Sequence, residues 1–388
     1  MKSAIAALTL LTFFCAGAAH MATMDIANCD DLVAAAEATS EGDVEGQLSE
    51  TEITCDGWTT VEVAQNRFSL TGQEETGHTF TGVRFAVAAG AALRVEVPAE
   101  FTGDTTQEVN GGVLHVADSG YTRFFKPVSM HDVGVTSPSA DGMVNGGCIY
   151  NEGIVRFEDE FTAKGCKTLS PEESAYAGNG GALWNGAGGK VVFKGPASMI
   201  GCGELPVVEG FVQYPGLDGG AIYTLGQVSF FEDAEFVDNE GEDGGAIGIG
   251  SEGVVKFLKR AKATFDGNRS GGSGGHVYID FSGSLVLRNT GLFTNGLADG
   301  SGGAISTDGE MLFVKHVDFL DNTSGAHGGA IATNFELISF LPEDATYEGN
   351  SRTNGDFDFE CDNVYINGDA DGGEDGFICL PFASTSAL

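Results

Sequence analysis

The chain is poor in proline, with 9 in 388 residues, and poor in basic side chains, with 19 Lys and Arg against 56 Asp and Glu. Scarce proline beside 59 glycines with no Gly-x-y period excludes a collagen triple helix and a proline-stiffened linker. A net charge of −37 excludes a nucleic-acid partner and an anionic membrane surface, because like charges repel. It also weighs against polyanionic glycans such as pectate or alginate, unless calcium bridges the two acidic partners. Beyond the first residues no stretch reaches 18 apolar residues, so no transmembrane segment is expected in the mature chain. Disorder is excluded too, because 42% of the residues are hydrophobic.

What is present begins at the N-terminus. Lys2, the apolar run Ala4 to Cys15 and the small residues Ala16-Gly17-Ala18 read as a secretory signal peptide over residues 1–19. A lipoprotein site at Cys15 is disfavoured by the bulky Phe13 and Phe14 before it. The expected location is therefore secreted, extracellular or at the cell surface. Seven cysteines remain after cleavage, and in an oxidising compartment an odd number leaves one thiol unpaired or paired between chains.

The strongest signal is a repeat. A Gly-Gly pair followed by a small or apolar residue recurs at Gly111-Gly112-Val113, Gly146-Gly147-Cys148, Gly180-Gly181-Ala182, Gly219-Gly220-Ala221, Gly244-Gly245-Ala246, Gly274-Gly275-His276, Gly302-Gly303-Ala304 and Gly328-Gly329-Ala330. The third positions are 35, 34, 39, 25, 30, 28 and 26 residues apart, which suits one solenoid coil plus a variable loop. A second element alternates apolar and polar, as in Val155-Arg156-Phe157, Val228-Ser229-Phe230, Val255-Lys256-Phe257, Leu285-Val286-Leu287 and Ile338-Ser339-Phe340, so one strand face is buried. A third element ends in asparagine at Asn239, Asn268, Asn322 and Asn350, with Phe293-Thr294-Asn295 as a shifted version. The expected fold is all-β: a single-stranded right-handed parallel β-helix with a short N-terminal capping helix. Its corners fall at Gly147, Gly181, Gly220, Gly245, Gly275, Gly303 and Gly329, its phenylalanines stack coil on coil, and its asparagines form a ladder.

The paired Gly-Gly-Ala-Ile and Phe-x-x-Asn elements from Gly111 to Asn350 resemble the repeats of the chlamydial polymorphic outer membrane proteins. The resemblance implies a β-helix of the pectin-lyase-like superfamily and an adhesive or structural role. In that family the helix is carried by an autotransporter barrel; here no barrel of alternating strands follows Asn350.

Four regions are expected: the signal peptide 1–19, an N-terminal cap with the first coils 20–75, the repeats 76–350, and an acidic C-terminal cap 351–388. Asp30-Asp31 followed by Leu32, Val33, Ala34, Ala35, Ala36 and Ala38 reads as the capping helix. Cys29 and Cys55 flank it and are expected to pair, as are Cys361 and Cys379 around the acidic loop. Cys166 and Cys202 occupy like positions in consecutive units, where stacked Cα atoms stand about 4.8 Å apart, so a bridge between them is expected. Cys148 is then left as a buried free thiol.

Chemistry is harder to find. With 56 acids, no carboxylate pair is informative for a glycosidase, and no Asn-Thr-Asp, Gly-His-Gly or Arg-Ile-Lys set of the polygalacturonase type occurs. Lys256, Lys259, Arg260 and Lys262 form the one basic cluster, with Lys256, Arg260 and Lys262 expected on one strand face that is solvated unless a lyase uses it. His276 and His327 lie at corners without partners for a triad or metal site, and backbone is expected to satisfy them. Asp356, Asp358, Glu360 and Asp362 alternate before the best calcium candidates, Asp369, Asp371, Glu374 and Asp375, but neither the EF-hand spacing nor the Gly-Gly-x-Gly-x-Asp signature is met. No other cofactor is implied. Asn268-Arg269-Ser270 and Asn322-Thr323-Ser324 match the glycosylation pattern, which conflicts with an inward ladder; the ladder is favoured. Regular Thr-x-Thr ranks of an ice-binding solenoid are missing. The expected function is a non-enzymatic, adhesin-like or structural protein binding an extracellular glycan or surface protein. The alternative is a polysaccharide lyase or glycoside hydrolase of the pectate-lyase-like fold.

Overall fold

The structure is a computed structural model that describes residues 21–73, 77–103, 109–136, 144–169, 178–203, 218–333, 345–353, 364–367 and 377–380. The expected signal peptide over residues 1–19, Ile338-Ser339-Phe340, the acids from Asp356 to Asp362, and the calcium candidates Asp369, Asp371, Glu374 and Asp375 lie outside these residues. So do Cys361 and the side chain of Cys379.

Among the described residues the chain is all-β with one short α-helix, Cys29–Glu37. Asn28 caps this helix: its side chain accepts a hydrogen bond from the Asp31 amide at 3.0 Å. Leu32, Ala35 and Ala36 form its buried face and pack on the first strands. The Cys29–Cys55 disulfide, with Cα atoms 5.3 Å apart, ties the helix to the strand Glu52–Val63.

Eleven strands form one parallel sheet that runs in chain order from Ala22–Ile26 to Glu310–Phe313. Register is kept coil after coil, so Phe124, Phe157, Phe193, Phe230 and Phe257 oppose one another in turn. A 21-stranded sheet holds two more ladders, one from the strand after each Gly-Gly pair and one from the strand before each ladder asparagine. A five-stranded sheet runs from Glu240–Gly241 to Ser351–Arg352. Val364–Asn367 adds a last parallel rung on Ile331–Thr333 and pairs antiparallel with Phe377–Leu380. Strands that pair with the equivalent strand of the next unit are consistent with a parallel β-solenoid.

The core follows from the register. Phe124, Phe157, Phe193, Phe230 and Phe257 stack with centroids 4.7–5.0 Å apart. A second stack of Phe236, Phe265, Phe293, Phe319 and Tyr347 keeps 4.6–5.2 Å. The two stacks meet edge to face, as in Phe236–Phe257 at 6.3 Å. Each such pair contributes about 0.5–1.5 kcal/mol beyond burial of its area.

The two glycines of a corner have different jobs. The first has φ between 62° and 72° in all eight pairs, a conformation that side chains rarely adopt. The second lies under the next coil: a Cβ on Gly147, Gly181, Gly220, Gly245, Gly275 or Gly303 would strike the backbone of the neighbouring unit. Gly329 is buried at the last described corner.

The expected Cys166–Cys202 bridge is not formed. Cys148 pairs with Cys166, with Cα atoms 5.7 Å apart, and Cys202 is the buried free thiol. Stacking brings equivalent Cα atoms within range but leaves their side chains parallel, aimed across the coil. Cys148 stands at the corner and Cys166 at the ladder position of one coil, so their side chains meet. Burial pushes the Cys202 thiol up to about 12.

Candidate functional site

Asn239, Asn268 and Asn322 are fully buried, and Asn350 is 8% exposed. Asn239 Nδ2 donates to Asn268 Oδ1 at 2.8 Å, and Asn322 Nδ2 donates to Asn350 Oδ1 at 2.9 Å. Each amide also donates to a backbone carbonyl one coil back, as Asn268 does to Phe236 at 3.0 Å. The asparagines of both glycosylation patterns are thus turned inward.

Between Asn268 and Asn322 the ladder position is Gly296, which has no side chain. The His276 ring occupies that space: a Cβ on Gly296 would lie 2.6 Å from His276 Nε2. Asn268 Nδ2 donates to His276 Nδ1 at 3.0 Å, and Nε2–H donates to Asn322 Oδ1 at 3.1 Å. Side-chain amides thus add to the backbone hydrogen bond with Thr294, where backbone alone is expected to satisfy this histidine. The neutral ring alone fits, because a proton on Nδ1 would face the amide hydrogens of Asn268. Burial holds its pKa down to about 4. His327 stands just before its Gly-Gly pair and offers its carbonyl to the Gly302 amide at 2.8 Å.

The outward surface carries a feature that the sequence reading passed over. Four residues after the first corner glycine, one strand position points away from the core. In successive coils it holds His115, Tyr150, Trp184, Tyr223, Gly248 and Tyr278. All five side chains are half-buried. Tyr150 stacks on Trp184 at 4.4 Å and 9°, and His115 meets Tyr150 edge-on at 5.0 Å. Tyr223 leans over Gly248, where a Cβ would lie 2.9 Å from its ring. The fixed four-residue offset is legible in Ile149-Tyr150-Asn151, Leu183-Trp184-Asn185 and Ile222-Tyr223-Thr224 once the corners are aligned.

Polar groups border this column. At its head the buried Arg84 donates to the Gly111 and Asn110 carbonyls at 2.8 Å and reaches His115 Nδ1 at 3.1 Å. Its desolvation, and then the Arg84 charge, depress the His115 pKa. Tyr150 donates its hydroxyl proton to Glu152 at 3.1 Å. The residue before each corner forms a side-chain-to-backbone ladder in which Asn110, Asn145 and Asn179 each accept the next coil's amide at 2.7–3.0 Å. Asp218 and Asp243 continue that ladder, and burial followed by neighbouring acids pushes the Asp218 carboxyl up to about 7. The Asp243 carboxyl is also raised, by burial first. Burial, then the Asp218 and Asp280 charges, push the Tyr223 hydroxyl up to about 12. Flat aromatic faces beside acceptors and donors suit a ring-shaped polar ligand or a flat partner surface.

The basic cluster does not share one strand face, contrary to expectation. Lys256 lies in the strand Val254–Phe257, and the chain then turns, with the Ala261 amide bonded to the Leu258 carbonyl at 2.9 Å. Lys259 and Arg260 stand exposed on that turn, and Lys262 lies beyond it beside Asp233. Among the described residues no group of three or more His, Cys, Asp or Glu is placed to hold a metal ion. Among them, too, no helix is long and apolar enough to cross a membrane.

Comparison with protein-family models, curated proteins and solved structures returns no match. The polymorphic-outer-membrane type of repeat therefore has no family support beyond the motif itself, and function rests on the geometry.

Proposed function

We propose that this chain is a secreted right-handed parallel β-helix of the polymorphic-outer-membrane repeat type. In this reading it is non-enzymatic and binds a glycan or protein partner through its outward aromatic column. The observation that carries this reading is the run His115, Tyr150, Trp184 and Tyr223 on one outward strand position in four consecutive coils. Core packing does not require large rings there, because Gly248, Ser306 and Ala332 occupy the same position in later coils. The two disulfides fit an oxidising compartment. The test is a glycan array and a surface-protein pull-down with the full chain. Replacing Tyr150→Ala and Trp184→Ala together should weaken binding about tenfold or more while the melting curve is kept. Unchanged binding by the double variant would sink the reading.

A second reading, a glycoside hydrolase or lyase, is favoured by one observation: the Asp218 carboxyl, pushed up to about 7, beside Asp243 on the same border. Such a group holds a proton near neutrality and can donate it. Release of reducing sugar, measured with and without calcium and abolished by Asp218→Asn, would establish this reading over the first.

A further inference from the structure

One pocket runs against the charge of the whole chain. The residue just after each strand of the 11-stranded sheet forms a column. In four coils it is Lys194, Phe231, Leu258 and Arg288, whose amides bond to the preceding coil at 2.8–2.9 Å. With Lys259 and Arg260 from the turn, these residues line an open pocket of about 530 Å³. Four cations meet a single lining carboxylate, Glu232, which leaves a local charge of +3 in a chain of −37.

Little in the fold uses these charges. Arg260 approaches Glu232 at 3.5 Å, but their side chains are 82% and 41% exposed, so the pair adds little to stability. The Lys194 ammonium lies 3.5 Å from the Phe231 ring centroid, which leaves it fixed and still charged. Lys259 and Arg288 are exposed. Phe231 and Leu258 supply a half-buried apolar floor, and Val314, 56% exposed, extends the same column. A floor that takes a ring face under a rim that takes an anion describes a small amphipathic acid. The pocket lies within the usual size range for a small-molecule site. A long polyanion would have to cross the acidic remainder of the molecule, whereas a single acidic ring would not.

We propose that this pocket binds one acidic sugar residue, such as the charged end of a glycan. Its ring rests on Phe231 and Leu258, and its carboxylate or sulfate is held by Lys259, Arg260 and Arg288. The inference does not rest on the aromatic-column reading, because the two sites share no residue.

The test is calorimetric titration of the full chain with four probes. These are a sialic-acid trisaccharide, a glucuronic-acid disaccharide, a 6-sulfated disaccharide and neutral lactose. At least one acidic probe should bind at least tenfold tighter than lactose; the three acidic probes separate carboxylate from sulfate as the preferred anion. Raising salt from about 50 to about 300 mM should weaken that binding several-fold. Lys259→Glu with Arg288→Glu, both exposed and so harmless to folding, should abolish it, and Phe231→Ala should weaken it. Tyr150→Ala with Trp184→Ala should leave it unchanged, so failure of the aromatic site reads out separately. The proposal is overturned if lactose binds as well as the acids, if no acidic probe binds, or if the charge-reversed variant still binds. Preferential binding of a DNA oligonucleotide or of phosphatidylserine vesicles would overturn it too.

Discussion

His276 and Gly296 are two departures from the repeat that compensate each other. Every other described corner holds Ala, Val or Cys, and the later ladder positions hold Asn. Here the corner side chain has grown into the space the ladder side chain left. His276→Ala should therefore cost about 2–4 kcal/mol, from a cavity and from one Asn268 amide hydrogen left without an acceptor. Adding Gly296→Asn restores the common Ala-plus-Asn pairing but sets a Cβ 2.4 Å from the Gly303 carbonyl oxygen, so it should recover only part of that loss in urea unfolding. A double variant no more stable than the single one would refute the coupling. The same ring makes a pH statement. A histidine whose folded pKa is about 4, against about 6.5 unfolded, binds fewer protons when folded. Its contribution is complete above pH 6.5 and is lost as pH falls towards 4. The double variant should lack that acid-sensitive part.

Asp218 has the opposite sign. Its folded pKa of about 7 lies above the unfolded carboxyl value, so the native state binds more protons between about pH 4 and 7, and stability falls as pH rises through that window. Asn already does the same ladder job at Asn110, Asn145 and Asn179, so Asp218→Asn keeps the hydrogen bond and drops the charge. The variant should match wild type at pH 4 and exceed it by ~1–2 kcal/mol at pH 8. Equal pH slopes for the two proteins would contradict this account.

At the scale of the element, the corner glycines set the spacing between coils. Gly245 is not forced by its φ but by approach: a Cβ would strike the carbonyl oxygen of Gly275 and the backbone of Arg269. Gly245→Ala should cost about 2–4 kcal/mol, while Gly42→Ala, which meets nothing within 4 Å, should change stability by under about 0.5 kcal/mol. Thermal melts of the two variants check this directly, and similar melting points would show that coils can slide apart freely. Corner elements were legible because each carries its own backbone rule. The outward aromatic column was equally present in the sequence but passed unseen. It becomes visible only when units are aligned on the first corner glycine, since apolar side chains in a strand otherwise read as core.

For the whole molecule, 56 acids against 19 bases make self-repulsion the main electrostatic term. Sodium chloride should therefore raise the melting temperature by a few degrees between about 20 and 500 mM, by screening. A flat or falling melting temperature would show that local pairs outweigh the net field. Against that field the basic pocket at Arg260 and Arg288 stands out, although its residues are scattered from Lys194 to Arg288 in the chain.

The sequence by itself determined what repeats: the parallel stacking, the Gly-Gly corners, the phenylalanine stacks and the buried asparagines of Asn239, Asn268, Asn322 and Asn350. Each of these is a contact between a residue and its equivalent in the next unit, so the period alone places the partner. Only the tertiary structure decided which positions face each other within one coil. That is why Cys148 joins Cys166 rather than Cys166 joining Cys202, and why His276 completes a ladder broken at Gly296. Contacts across a coil depend on how the chain bends between strands, and turn geometry carries no period for the eye to follow.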